Sequence, residues 1–312
     1  MDVQVAVVVV SYNTRELLLG CLASVFESTT GRSIELVIVD NASEDGSYEA
    51  VRNAYPEATT IRNNTNLGFG AACNQGIRAT RSDFILLLNS DARLTPQAYQ
   101  SLCDCLEQNR RCGAAGCRLV DTAGVEVINT RNFLTGLNQA FELAGITFAS
   151  GRLGRTRLPN PNGDLVDCSV DWIEGACLML RRSALDESGL FDEQFFMYSE
   201  DEDLCLRLRK RGWLVCFCGG GTAVHHGAGS TRQRKNEMLR HFYQSQMLFL
   251  TKHRGRRSAV LYRIVMKTVL LCKRFLLSDR NRREIAGEQL NALRQACRLV
   301  GPVTPPTSVG GL

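Results

Sequence analysis

Three stretches of the chain are apolar almost without interruption: Val3 to Val10, Ile34 to Val39 and Phe84 to Leu88. A strand with one wet face alternates. A continuous run of β-branched and aliphatic residues this short predicts a strand buried on both faces, as in a parallel sheet covered by helices. Each run stops abruptly at a polar cluster: Ser11-Tyr12-Asn13, Asp40-Asn41 and Asn89-Ser90-Asp91. Between the first two, Leu17, Leu18, Cys21, Leu22, Val25 and Phe26 follow helical spacing behind Thr14, a candidate N-cap. A second helix is predicted over Tyr48 to Ala54. Strand, helix, strand, helix at this pace predicts right-handed parallel βαβ units.

Further along, the pattern predicts a short strand at Ala58 to Arg62 and a helix from Ala71 to Thr80. Another helix opens at Thr95-Pro96 and runs to about Asn109, with Pro at its first position. Gly113 to Val120 reads as a strand and Asp121 to Gly124 as a turn. Residues Thr130 to Val166 have no periodicity. A loop this long suggests function or disorder, and a cover over one side of the site is expected. Asp171 to Leu180 reads as one strand, Ser183 to Ser188 as a short helix closed by Gly189, and Leu204 to Arg211 as a helix. Trp213 to Cys218 is a further strand, with Gly219-Gly220-Gly221 as a flexible turn after it. Lys235 to His253 is helical, and the tail Gly301 to Leu312 is rich in Pro, Gly and Thr and expected to be disordered.

Composition adds little to the body and something to the C-terminal end. The 312 residues are 44% hydrophobic and 22% charged, ordinary for a globular protein. Thirteen cysteines, many within apolar segments and without C-x-x-C repeats, read as reduced buried thiols and a cytoplasmic location. The first ten residues carry an acid and run into a strand, so no secretory leader is expected. Residues 252–283 hold eleven Lys or Arg and one acid, Asp279, a net +10 in a chain whose total is +5. The remainder is mildly acidic, which argues against nucleic acid as a partner. Within this basic stretch, Ser258 to Leu277 is apolar but broken by Arg263, Lys267, Lys273 and Arg274, too often for a transmembrane span. Arg256, Arg263, Lys267 and Arg274 share one helical face. That suits a helix lying on an anionic membrane surface, or a docked helix with a solvated basic face.

The polar clusters carry the candidate chemistry. An open α/β sheet binds ligands where its strands end. Asp91 at the end of such a strand suits a divalent cation carrying phosphates, or is a turn residue. Asp40, at the end of the second strand, stands where a mononucleotide fold grips a ribose or base, or caps a helix. Neither G-x-G-x-x-G nor a P-loop is present, which removes support for dinucleotide enzymes and NTPases. The loop Asn63 to Gly70 opens a helix and favours negative charge. Glu200, Asp201, Glu202 and Asp203 sit on the first turn of a helix. Dipole complementarity accounts for some of them, and repulsion plus burial raises the pKa of at least one, as a general base requires. His225 and His226 in a glycine-rich stretch are candidate metal or phosphate ligands.

As an ordered set these segments resemble the inverting glycosyltransferases of family 2. The carriers are Val7 to Asn13, Val37 to Ser43, Asn63 to Gly70, Leu88-Asn89-Ser90-Asp91, Phe195 to Leu204, and Val224-His225-His226-Gly227-Ala228-Gly229-Ser230. The likeness spans about residues 3–253 and is strongest to bacterial rhamnosyltransferases that build cell-wall or surface polysaccharide on a lipid carrier. It implies a GT-A fold, an α/β architecture with a Rossmann-like, mostly parallel central sheet flanked by helices and a C-terminal helical extension. The catalytic domain is expected over 1–234, with a nucleotide-sugar half to about 120 and an acceptor half after it. A basic helical extension over 235–300 and the tail 301–312 follow. The resemblance assigns Ser11, Asn13, Asp40, Asn66, Gly68, Asn89 and Asp91 to the donor, a nucleoside-diphosphate sugar. Mg²⁺ or Mn²⁺ is expected on Asp91 with His225 or His226. The first position of the D-x-D pattern is Asn89 here. Asp201 is the expected general base, and Trp172, Glu174 and Glu200 are expected on the side of a lipid-linked saccharide acceptor. A peripheral position on the inner face of the membrane follows. Two other classes are kept beside this one: a sugar-nucleotide nucleotidyltransferase, and a non-catalytic binding protein on the same fold.

Overall fold

The computed structural model describes residues 5–29, 31, 33–135, 138, 169–227, 235–276 and 280–299. The expected cover within 130–166 lies almost wholly outside the described residues, as does the tail 301–312. The described residues group into two compact units, one drawn from 1–133 and 148–234, the other from 134–147 and 235–312.

The first unit is built on a twisted sheet. In chain order its elements are β1 (Val5–Ser11), α1 (Arg15–Ser28), β2 (Ile34–Asp40), α2 (Ser47–Ala54), β3 (Thr59–Arg62), α3 (Phe69–Arg78), β4 (Phe84–Asn89), β5 (Ala92–Arg93), α4 (Pro96–Gln108), β6 (Cys112–Val120) and β7 (Glu126–Val127). Then come β8 (Thr130–Arg131), β9 (Trp172–Ile173), β10 (Cys177–Arg181), α5 (Arg182–Ser188), α6 (Glu200–Lys210) and β11 (Leu214–His225). The sheet runs β3-β2-β1-β4-β10-β6-β11-β5, with β7 beside β6, and β8 pairs with β9 apart from it. The four strands β3, β2, β1 and β4 are parallel, as the continuous apolar runs predict. β2, β1 and β4 are buried on both faces because alternate residues serve two cores, while β3 at the sheet edge is largely half-exposed. Val5, Val7 and Val9 join Leu86 and Leu88 under α1 and α4. Val8, Val37, Val39, Ile85 and Leu87 pack with Ile77, Leu204 and Leu208 of α3 and α6.

Three expectations change. The single strand read over Asp171 to Leu180 is two: β9 pairs with β8, while β10 inserts antiparallel between β4 and β6. Glu174, Gly175 and Ala176 form the break, because the chain leaves one sheet for the other there. The triple glycine is not a turn but part of β11, which runs on to His225 through a register shift between Cys218 and Thr222. Gly221 is required by close approach: a Cβ there would lie 2.3 Å from the Ala98 Cα of α4. Thr14 precedes α1 without a side-chain cap bond; its hydroxyl is used elsewhere, as described below.

The second unit is helical: α7 (Lys235–Arg254), α8 (Arg256–Leu276) and α9 (Arg280–Leu299). Tyr243, Tyr262, Met266, Leu270, Leu290 and Ala296 are buried in it, and the Tyr262 hydroxyl donates to Gln246 Oε1. Gly255, in the left-handed region with φ +84°, makes the tight joint between α7 and α8. Among the described residues no helix is long and apolar enough to cross a membrane.

Candidate active site

Strand register collects the polar clusters on one edge. Ser11 stands opposite Asp40, and Val10 opposite Asn89. The residues that end β1, β2 and β4 therefore form a row at the carboxyl ends of the parallel strands. Ser11 is fully buried, its hydroxyl 3.1 Å from Thr14 Oγ1, which is 2.8 Å from Ser90 Oγ. This hydroxyl chain ties the end of β1 to the end of β4. Asn13 adopts φ +53°, a region Asn tolerates better than most residues. Its Oδ1 accepts from Glu44 N at 2.7 Å and its own N–H donates to Ser43 Oγ at 3.0 Å, so it pins the β2–α2 loop.

Asp40 is buried. Its Oδ1 accepts from Ser43 N at 3.0 Å, and its Oδ2 is buried without a donor. The next residue, Asn41, organises the 63–70 loop. Its amide donates to Asn66 Oδ1 (2.8 Å) and Gly68 O, and its Oδ1 accepts from Asn63 and from Leu67 N. Asn66 thus shapes the loop, its Oδ1 also accepting from Gly68 N. Gly68 must be glycine twice over: φ is +88°, and a Cβ would lie 2.2 Å from Phe196 O. Phe69 N donates to the same Phe196 O at 2.9 Å, clamping this loop to the segment that enters α6.

Asp91 follows β4, and β5 beyond it pairs with the last residues of β11. That pairing brings His225 Nε2 to 3.2 Å from Asp91 Oδ1 and 3.5 Å from Asn89 Nδ2. His226 is exposed and meets Asp91 through its backbone, N to O at 2.9 Å. Of the two imidazoles the sequence leaves open, His225 stands at the carboxylate. Asn89 Oδ1 is buried without a donor. A carboxylate, an imidazole and an amide oxygen lacking a proton donor together suit Mg²⁺ or Mn²⁺.

Tyr198 and Ser199, at φ +70° and +61°, turn the chain sharply into α6. Two successive non-glycine residues in the left-handed region cost about 1–3 kcal/mol each and mark a constrained site. The acids on the first turn then diverge. Asp203 is fully buried and paired with Arg207 at 2.8 Å, and Arg207 also holds the carbonyls of Gly189 and Leu190. Glu200 is buried, and burial plus the Asp201 charge pushes its pKa well above the usual carboxylate range. Its Oε2 has no donor. Asp201 is part-buried. Its Oδ2 accepts from Gly175 N at 3.1 Å and its Oδ1 from Glu202 N at 2.8 Å. Burial first, then the charge of Glu174, raises it from 3.8 to about 7.

Glu174 is held by Arg131, Nε to Oε1 2.8 Å. Asn89 N donates to Ala176 O at 3.0 Å, and Cys177 pairs with Leu88. The segment 174–176 thus bonds both to Asp201 and to the end of β4, so both acidic corners share one sheet edge. Trp172 is buried, its Nε1 donating to Asn132 O at 3.2 Å. Sequence reading missed Asn41, Arg131 and Gly175. Asn41 carried a usable signal, as a buried polar neighbour of a strand-end acid; Arg131 and Gly175 act through partners more than 25 residues away.

The profile of "Glycosyl transferase family 2" matches residues 6–189. The chain belongs to glycosyltransferase family 2. The enzyme is 30% identical over 261 residues to the N-acetylglucosaminyl-diphospho-decaprenol L-rhamnosyltransferase of Mycobacterium tuberculosis, covering 80% of this chain and 85% of that one. It is 26% identical over 180 residues to rhamnosyltransferase WbbL of Escherichia coli K12, 57% of this chain and 65% of the relative. A solved structure, mannosyltransferase PcManGT from Pyrobaculum calidifontis in complex with GDP-Man and Mn²⁺, superposes with TM-score 0.55 at 15% identity. It covers 94% of this chain and 86% of that one. The architecture of this glycosyltransferase is the GT-A fold.

Proposed function

We propose that this glycosyltransferase moves rhamnose from a nucleoside-diphosphate sugar to a hydroxyl of a lipid-linked saccharide, inverting the anomeric centre. The observation that carries the reading is the pairing of two differently tuned acidic corners on one sheet edge. Asp91 with His225 and Asn89 suits a cation, and Asp201, raised to about 7, suits a proton acceptor. The likeness to two rhamnosyltransferases, one named for a diphospho-decaprenol acceptor, supports the sugar and the lipid carrier.

In this mechanism Asp40 holds the nucleoside, its unpaired Oδ2 accepting from the base or ribose. A buried acceptor without a donor is costly, and such costs concentrate at functional sites. Asp91, His225 and Asn89 would hold Mg²⁺ or Mn²⁺, which when bound supplies Lewis-acid neutralisation of the diphosphate. Asp201 takes the proton of the acceptor hydroxyl as that oxygen bonds to the anomeric carbon. The bond from that carbon to the diphosphate oxygen breaks with its electron pair. Gly175 N and Glu202 N fix the carboxylate in place, and Glu174 keeps its basicity near neutral.

The helical unit supplies the place of work. On α8 the buried residues Ala259, Tyr262, Met266 and Leu270 leave the opposite side to Val260, Leu261, Ile264 and Phe275, which are 40 to 72% exposed. At 100° per residue the exposed Arg256, Arg263, Lys267 and Arg274 form a row beside this apolar stripe. Such a face fits the headgroup region of an anionic membrane, where a lipid-linked acceptor resides. The test of the whole reading is transfer by purified protein from a panel of nucleoside-diphosphate sugars, rhamnose donors included, to a lipid-linked N-acetylglucosamine acceptor with and without Mn²⁺. Transfer of another sugar in preference to rhamnose would overturn the donor assignment, and full rate in the presence of chelator would overturn the metal.

A further inference from the structure

The same sheet holds a second set of metal-ligating side chains, remote in character from the first. Cys105 on α4, Cys112 at the start of β6 and Cys216 on β11 place their Sγ atoms within 4.8 Å of one another. All three are buried, at 4, 0 and 1% exposure. Cys105 and Cys112 are 3.9 Å apart. Cys218, two residues after Cys216 and therefore on the same face of β11, lines the same core.

We infer that Cys105, Cys112 and Cys216 form a structural site for a thiophilic d¹⁰ cation of the zinc class. Tetrahedral coordination with Zn–S bonds of about 2.3 Å sets neighbouring sulfurs about 3.8 Å apart. The observed 3.9 Å matches that spacing and is far from the ~2.05 Å of a disulfide. Three thiolates around a dication leave one net negative charge, and a cation stands beside them. Arg181 donates from Nε to Cys112 O at 2.8 Å and from its terminal nitrogen to Leu106 O and to Asn109 O, and its charge acts on Cys112 and Cys105. An outer group that both clamps the ligand backbone and offsets the charge is what metal sites require.

The location makes the role structural. β6 runs parallel to β11 and antiparallel to β10, which is antiparallel to β4. Cys112 begins β6, so the sulfurs lie toward the edge opposite the strand ends that carry Asp91. An ion there would staple the end of α4 to two strands, and its burial requires loading as the chain folds.

The test uses the full chain, made without a metal-binding tag in zinc-supplemented cells and dialysed against EDTA, which strips oxygen-ligated cations. We expect about one zinc per chain by mass spectrometry, and protein grown with Cd²⁺ should show a thiolate-to-cadmium charge-transfer band. Cys112→Ala and Cys216→Ala should lower the content at least tenfold, while Cys103→Ala, a buried cysteine of the same core outside the set, keeps it. Where the variants do not fold, the wild-type stoichiometry and cadmium band decide. Folded wild type with less than about a tenth of an equivalent and no band, or variants that retain the ion, would show that the thiols are packed core residues only.

Discussion

Asp201→Asn is expected to destroy transfer and to stabilise the protein, but only at neutral and alkaline pH. The carboxyl rises from 3.8 to about 7, a change of about three units caused by burial and by Glu174. At 1.36 kcal/mol per unit this is about 4 kcal/mol. An acid whose folded pKa lies above its unfolded value binds a proton on folding. Stability is then greatest below pH 4, falls as pH rises toward 7, and levels off above it. Asn resembles the protonated carboxyl and does not titrate. The Asn amide nitrogen cannot accept from one of the two backbone N–H groups, so the variant starts below wild type at pH 4, and its stability relative to wild type should improve by about 4 kcal/mol between pH 4 and pH 8. For a unit of this size that is about 10 °C. Removing the Asp201 charge also relieves Glu200, which adds to the gain. The assay is a thermal scan by circular dichroism from pH 4 to 8, beside a transfer assay in which the rate falls about 10²- to 10⁴-fold. A melting difference that stays flat across this range would refute the perturbed carboxyl. A variant that still transfers sugar at the normal rate would refute the base.

Four other outcomes follow from the same geometry. In the wild type, kcat/KM should rise with pH through a midpoint near 7, and Glu174→Gln should move that limb to lower pH, since it removes a charge that raises Asp201; an unmoved limb would exclude Glu174 from tuning the base. Asp91→Ala should abolish metal-stimulated binding of the nucleoside diphosphate in calorimetry, and unchanged affinity would reassign the cation. Gly68→Ala, which combines φ +88° with a Cβ only 2.2 Å from Phe196 O, should weaken donor binding and lower stability by about 1–3 kcal/mol, as urea titration would report. Replacing Arg256, Arg263, Lys267 and Arg274 with Glu removes about 4 kcal/mol of attraction to an anionic leaflet, roughly a thousandfold in partitioning; co-sedimentation with anionic vesicles that survives this change would make α8 a protein-docking helix.

The parts of the fold that were legible are those written in local periodicity. β1, β2 and β4 announce themselves because a parallel strand covered on both sides needs apolar residues at every position, and their polar ends mark the functional edge. What periodicity does not carry is partnership. Nothing in Cys177 to Arg181 says that this strand runs antiparallel between β4 and β6. Three consecutive glycines look like a turn, yet Gly221 lies in a strand because a helix backbone sits where its side chain would be. The cysteines show no C-x-x-C repeat, and only the sheet brings Cys105, Cys112 and Cys216 together.

The insertion of β10 also explains why the proposed base can stand where it does. An all-parallel sheet would put another βα turn after β4. Instead the chain returns as β10, and the residues just before it, Glu174 to Ala176, come to the same edge as Asn89. Gly175 offers its N–H to Asp201 from there, while Glu174 sets the charge around it. The reversed strand thus gives the edge formed by the ends of β1, β2 and β4 a second acidic corner. The two corners differ in what opposes their charge. Asp91 has an imidazole at 3.2 Å and the Asn89 amide oxygen, buried without a donor, nearby, a set of donors to a cation. Asp201 has backbone donors that are outweighed by burial and a neighbouring carboxylate. On the proposed assignment, the division of labour rests on the surroundings of the two aspartates, which the sheet topology sets.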